Sequence, residues 1–166
     1  MGDAPLALPA RTPLAWGAFF ARYRLHPYLA AAVEAGSVDA HGARVLERVG
    51  ERLDRGDPEL VGDPEEPVAR LHGDLWSGNV LWSPDGAVLV DPAAHGGHRE
   101  SDLAMLDLFG LPHLAEVLAA YDAAWPLAAD WRERVGLHQL FPLLVHAMLF
   151  GAEYGAQAVR VARRYA

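Results

Sequence analysis

The sequence predicts an α+β domain, mostly helical around one small β element. Three observations predict it. Apolar residues recur at helical spacing before residue 54 and again after residue 100. Between residues 68 and 92 the pattern changes to short apolar runs of strand length. Within that window Ser83-Pro84-Asp85-Gly86 places turn chemistry between two such runs, which predicts a hairpin.

The elements follow in order. Residues 1–12 read as an irregular lead-in, and Thr12-Pro13 supplies an N-cap and first helical position. Trp16, Phe19, Phe20 and Tyr23 share one helical face, and the apolar run from Tyr28 to Ala35 continues until Gly36. Ser37 is expected to cap a second helix striped by Val45, Leu46, Val49 and Leu53. Residues 54–67 are rich in Gly, Pro and acid, and predict a surface loop. Residues 68–71 read as a short strand, and residues 79–82 and 87–90 as the arms of the hairpin. Helices are expected near 101–108, 112–124, 131–149 and 152–165, punctuated by Gly110, Pro112, Pro126 and Gly151.

Composition narrows the function classes. A length of 166 residues suits one domain, and 52% hydrophobic against 22% charged residues permits a packed core. No run approaches the roughly 18 apolar residues of a membrane span. The N-terminus lacks the basic-then-apolar order of a secretory signal, so a cytoplasmic location is expected. A net charge of −8 argues against nucleic acid or an anionic membrane as partner. With no Cys, disulfides, thiolate metal sites and a Cys nucleophile are excluded. All 14 cations are Arg. A mechanism that needs a lysine amine cannot be completed by these residues.

Polar residues crowd into one window, 72–102, around the hairpin. It opens with His72-Gly73-Asp74-Leu75-Trp76-Ser77-Gly78-Asn79 and closes with Asp91-Pro92, His98-Arg99-Glu100 and Asp102. Asp74 and Asn79 stand five apart across a loop flanked by Gly73 and Gly78, so both side chains can face one point. The hairpin returns Asp91 to a position beside Asn79. Hard oxygen donors with few protein contacts suit Mg²⁺, which keeps waters and phosphate oxygens as its other ligands. Asp74, the remaining carboxylate, can accept a proton from an attacking hydroxyl. An Asp, an Asn five positions on, and a second Asp after a hairpin form the order used in phosphoryl transfer.

These residues resemble the fructosamine kinase (ketosamine-3-kinase) family, close to the aminoglycoside phosphotransferases in the protein-kinase-like superfamily. His72 to Asn79 is similar to its catalytic-loop signature. Asp91-Pro92-Ala93, Gly97-His98-Arg99-Glu100, Asp102-Leu103-Ala104-Met105 and Leu108-Phe109-Gly110 are similar to its second block. His138-Gln139-Leu140, Phe150-Gly151 and Tyr154 resemble its C-terminal helices. The resemblance implies Asp74 as catalytic base, Asn79 and Asp91 as magnesium and cofactor ligands, and Asp102 bracing the loop through backbone amides, with His72 in structural support. It implies Trp76 in the sugar pocket or, alternatively, as a core plug. Arg99 and Glu100 are placed at substrate or in an internal ion pair. His95 stands where the family usually carries an aromatic residue; with His98 it lacks a third ligand, so no metal is assigned there.

The resemblance further implies the C-terminal lobe of a kinase-like fold, over residues 13–166, with the N-terminal ATP-binding lobe absent. No glycine-rich loop precedes a strand, and the regular elements read before residue 68 are helices. Mg²⁺ and ATP are the cofactors expected of the complete two-lobe enzyme, and a ketoamine or glycated amine its substrate. A homodimer or a separate N-lobe is the expected macromolecular partner, docking on apolar surface around Trp16, Phe19, Phe20 and the 141–150 run. The alternatives are an aminoglycoside or other sugar phosphotransferase lobe, a non-catalytic kinase-like module, and a His/Asp metal hydrolase using His72, Asp74, His95 and His98.

Overall fold

The computed structural model describes Leu6, Leu8 and residues 14–166. The cap expected at Thr12-Pro13 and most of the lead-in therefore lie outside the described residues. In chain order the helices are α1 (Trp16–Phe20), α2 (His26–Glu34), α3 (Ala40–Asp54), α4 (Pro58–Val61), α5 (Glu100–Phe109), α6 (Leu114–Ala124), α7 (Trp131–Phe150) and α8 (Ala152–Ala162). The strands are β1 (Ala69–Leu71), β2 (Val80–Ser83), β3 (Gly86–Leu89) and β4 (His95–Gly97). Among the described residues no helix is long and apolar enough to cross a membrane.

Two compact units divide the chain. One comprises the residues through Glu65 together with Gln139–Ala166; the other is Glu66–His138. In the first, α1 and α2 are joined by a π-helical turn, Ala21–Leu25, and α3 packs against all three and against α8. The stripe Val45, Leu46, Val49 and Leu53 is buried, as its spacing predicts. The cap of α3 is Asp39 rather than Ser37: its carboxylate accepts the Gly42 amide at 2.7 Å. Ser37 still belongs to the exit from α2, with its own amide bonded to the Ala32 carbonyl. Residues 54–67 are not loop throughout. Asp57 accepts the Glu59 amide, Pro58 opens α4, and Leu60 is buried.

The expected docking surface is corrected too. Phe20, Phe141, Leu143, Leu144, Val145 and Ala147 are buried, and Trp16 and Phe19 are half-buried. Of that set only the end of α7, Leu149 and Phe150, is exposed. Phe19 and Phe141 also cover Arg24, whose guanidinium lies 4.8 Å from one ring centroid and 5.4 Å from the other.

The second unit carries the polar window. β1 pairs antiparallel with β4, setting Leu71 opposite His95, and β2 pairs with β3, setting Val80 opposite Leu89 and Ser83 opposite Gly86. The hairpin and its turn match the sequence reading. The β1–β4 pairing was not expected, because His95-Gly96-Gly97 has none of the composition of a strand. Leu81, Trp82, Val88 and Leu89 are all about half exposed, so the hairpin presents apolar side chains to solvent.

Candidate functional site

β1 feeds directly into the loop His72–Asn79, and that loop is built around one carboxylate. Asp102, in the first turn of α5, accepts the His72 amide on Oδ2 at 2.7 Å and the Gly73 amide on Oδ1 at 2.9 Å. Burial pushes the Asp102 carboxyl upward, and the two amides oppose that shift by favouring the charged form. The His72 imidazole adds a second tie. Its Nε2 lies 3.0 Å from the Val90 carbonyl oxygen, and its Nδ1 accepts the Asp74 amide at 3.3 Å. A carbonyl only accepts, so Nε2 carries the proton and Nδ1 the lone pair. Both contacts fit that neutral tautomer.

Gly73 takes φ +80°, and a Cβ there would collide with the Ala93 carbonyl oxygen and lie 2.8 Å from His95 Nδ1. Only glycine fits both the conformation and the space. The chain then turns Asp74 inward, where it and Asn79 are buried. The Asn79 amide nitrogen donates to the Asp74 carbonyl at 2.9 Å and reaches Oδ2 of the same residue at 3.4 Å. Its amide oxygen therefore points away from Asp74. The Val90 amide bonds to the Asn79 carbonyl at 3.0 Å, extending the hairpin ladder by one step. Asp91 follows at φ +52° and is exposed. Asp74 and Asn79 are thus in hydrogen-bond contact, and Asp91 sits at the base of the same hairpin. An amide oxygen and a carboxylate are the hard donors that Mg²⁺ prefers, so the residue types fit that ion.

Trp76 is not a core plug. It is 40% exposed, meets Phe109 edge-on at 6.4 Å, and folds back over Gly78, where any side chain would strike the indole. Beyond the loop lies a buried polar cluster. Arg134 donates to both oxygens of Glu100, at 2.7 and 3.0 Å, and His138 Nε2 lies 3.3 Å from Glu100 Oε2. Ser101 bonds to His138 Nδ1 at 2.8 Å, and the His98 ring stands 5.1 Å from that of His138. His98, Glu100 and His138 have ligand atoms within 4.8 Å of one another, yet the Arg134 guanidinium already occupies both carboxylate oxygens. A divalent cation would meet that fixed positive charge. Burial, reinforced by His138, lowers His98 to about 4. Burial alone would raise Glu100, but hydrogen bonds from His138 and Arg134 hold it at about 2.

The sequence model of the fructosamine kinase family matches residues 8–166. The chain belongs to that family. It is 38% identical over 144 residues to a probable ketoamine kinase of Enterococcus faecium, covering 86% of this chain and 50% of that protein. It is 33% identical over 148 residues to the ketosamine-3-kinase of Mus musculus, covering 89% of this chain and 46% of that protein. The crystal structure of a candidate fructosamine-3-kinase from Thermobifida fusca superposes with a TM-score of 0.90 at 52% identity, over 99% of this chain and 55% of that one. The chain spans about half the length of the curated relatives it matches.

For this fructosamine kinase family member, the kinase-like, mostly helical fold with a small hairpin is the one expected. Arg99 and Glu100 both enter internal ion pairs, one of the two readings the sequence offers, each with its own partner rather than with the other. Arg99 is buried, holds Glu66 at 2.7 Å, and donates to the Trp125 and Pro126 carbonyl oxygens. Glu100 belongs to the Arg134 pair described above. The His95 and His98 rings likewise enter separate networks: His95 bonds to the Ala93 carbonyl, and His98 faces His138. Sequence reasoning missed Glu66, Arg134 and His138 as partners because they lie 33 to 38 positions away, where no local spacing signals them. Phe109 was visible only as part of Leu108-Phe109-Gly110.

Proposed function

We propose that this chain is the acceptor- and magnesium-binding part of an ATP-dependent ketoamine kinase, transferring a phosphoryl group to a sugar hydroxyl of a fructosamine or ketosamine adduct. The observation that carries the reading is the 72–79 loop, where the two amides pinned by Asp102 hold Asp74 against Asn79. Asp74 accepts the proton of the acceptor hydroxyl as that oxygen attacks the γ-phosphorus, the bond from phosphorus to the ADP oxygen breaks, and the proton ends on the Asp74 carboxylate. Asn79 and Asp91 would hold Mg²⁺, which when bound neutralises charge on the phosphates. Trp76 offers the exposed face of its indole to the sugar adduct beside Asp74. His72 and Asp102 keep the loop in shape.

With no lysine among its residues and no phosphate-covering loop among the described ones, this chain alone is expected to show no turnover, because positioning and charge neutralisation are nearly all of phosphoryl-transfer catalysis. The test is a fusion to the half of the Thermobifida fusca relative that this chain does not cover. ATP-dependent phosphorylation of a fructosyl-amino acid, lost on Asp74→Asn, supports the reading. A fusion that phosphorylates aminoglycosides but no ketoamine would shift it to the other phosphotransferase class. A folded fusion that binds ketoamine without turnover would leave a binding module.

A further inference from the structure

His95 lies between the two segments that carry the proposed reacting groups. It opens β4 opposite Leu71, the last residue before the 72–79 loop. Its Nδ1 stands 2.8 Å from the Ala93 carbonyl oxygen, and since that oxygen only accepts, Nδ1 is the donor. Ala93 is two residues past Asp91. The same edge of the imidazole backs onto Gly73: a Cβ at that glycine would lie 2.8 Å from Nδ1 and 2.9 Å from Cε1. Gly73 in turn gives its amide to Asp102. The residue before Asp74 is therefore held from one side by Asp102 and backed on the other by His95 and Ala93.

We propose that His95 is a positioning residue that sets the Asp91 turn against the Asp74 loop. The Nδ1–H bond fixes the Ala93 carbonyl, and the ring supports the left-handed backbone of Gly73. This rests on the reading of Asn79 and Asp91 as the cation ligands. The hydrogen bond ties the Ala93 carbonyl to β4, whose pairing with Leu71 carries that tie to the loop, and the ring contact is backing. An asparagine keeps a side-chain N–H at nearly the position of Nδ1 without the ring. A phenylalanine keeps the ring without the donor. The two substitutions therefore separate coupling from packing.

The experiment uses the ¹⁵N-labelled chain with Mn²⁺ as the probe, reading paramagnetic broadening of the Asn79 and Asp91 amides, together with amide exchange at Gly73 and Asp74. His95→Asn is expected to bind Mn²⁺ within about threefold of the parent. His95→Phe is expected to bind it about tenfold more weakly, the lower end of what outer-shell partners cost a metal site. Exchange at Gly73 and Asp74 is expected to quicken about tenfold in His95→Phe at an unchanged melting temperature, because only local opening is eased. His95→Phe with parental affinity and exchange would overturn the proposal, as would His95→Asn behaving like His95→Phe. A parent chain that shows no Mn²⁺ effect at Asn79 and Asp91 defeats the cation-ligand reading instead, and the exchange comparison still decides the role of His95.

Discussion

The 72–79 loop and the β2–β3 hairpin are contiguous in sequence and opposite in construction. The loop is tied from below by side chains: Asp102 to two amides, His72 to the Val90 carbonyl and the Asp74 amide, Asn79 to the Asp74 carbonyl. The hairpin is tied to itself by its own ladder, and beyond Val80 its strand residues are exposed. Asn79 and Asp91 stand where the two designs meet. The phosphoryl-transfer role proposed for the loop calls for a base fixed in advance, whereas a surface open to a ligand or partner calls for apolar side chains that something else can cover.

Substitutions can break that contrast, beginning with the largest effect. In the active fusion, Asp74→Asn should lower kcat by about 10²- to 10⁴-fold while leaving ketoamine affinity nearly unchanged, since the carboxylate acts on the moving proton. Steady-state kinetics beside a direct binding titration separate the two, and a two- or threefold loss in kcat would reduce Asp74 to a turn residue.

Next comes Asp102→Ala, which strands the His72 and Gly73 amides. Each buried donor left unpaired costs about 1–3 kcal/mol, so chemical denaturation should show a clear loss. Leu81→Thr on the hairpin should stay within about 0.5 kcal/mol, the usual range for exposed positions. Equal losses at the two sites would erase the distinction between them.

Acid should act on the polar side alone. His98 falls from its ordinary 6.5 to about 4 on folding, and His138 moves in the same direction, both mainly through burial. The unfolded chain therefore takes up protons first, and stability present above about pH 6.5 is lost as pH falls toward 4. For His98 the loss at pH 5 is on the order of 2 kcal/mol. Glu100, held at about 2 against an ordinary 4.5, adds a further loss below pH 4.5, while Asp102, raised by burial, works in the opposite sense. Thermal melts between pH 7 and 4 should flatten in His98→Gln. From Val80 to Val90 the hairpin has Asp85 as its single acid or base and contributes little slope.

The smallest effect on stability belongs to Trp82→Ser with Val88→Ser, which should leave the melting temperature within a degree or two while reducing binding of a hydrophobic dye and any self-association seen by light scattering. Unchanged dye binding would mean that Trp125 and Phe150, the most exposed aromatics, carry that surface instead.

What the sequence made legible follows the range of each interaction. The hairpin, its turn and the stripe on α3 depend on neighbours a few residues apart, and all appear where their periodicity places them. The five-residue spacing from Asp74 to Asn79 is of the same kind. Ser37 and Asp39 are both good caps two positions apart, and the choice fell to Asp39 because Ser37 is held by the exit from α2. The pairing of β1 with β4, the burial of Arg99 by Glu66, and the Glu100–Arg134 pair all join residues more than twenty positions apart. Composition carries no record of such meetings.

The hairpin forms a two-stranded sheet, so β2 and β3 each keep one edge that no other strand of the described residues pairs with. Such an edge carries unmatched amides and carbonyls in register, and here it is flanked by Leu81, Trp82, Val88 and Leu89 without a lysine, glutamate or mid-strand proline to discourage addition. A passing extended segment, from a second molecule or from an unfolded one, could extend this sheet by one strand. At the millimolar concentrations of a crystallisation drop the consequence is fibrillar precipitation nucleated at β2 or β3, and a charged residue placed at Leu81 or Val88 is the means of preventing it.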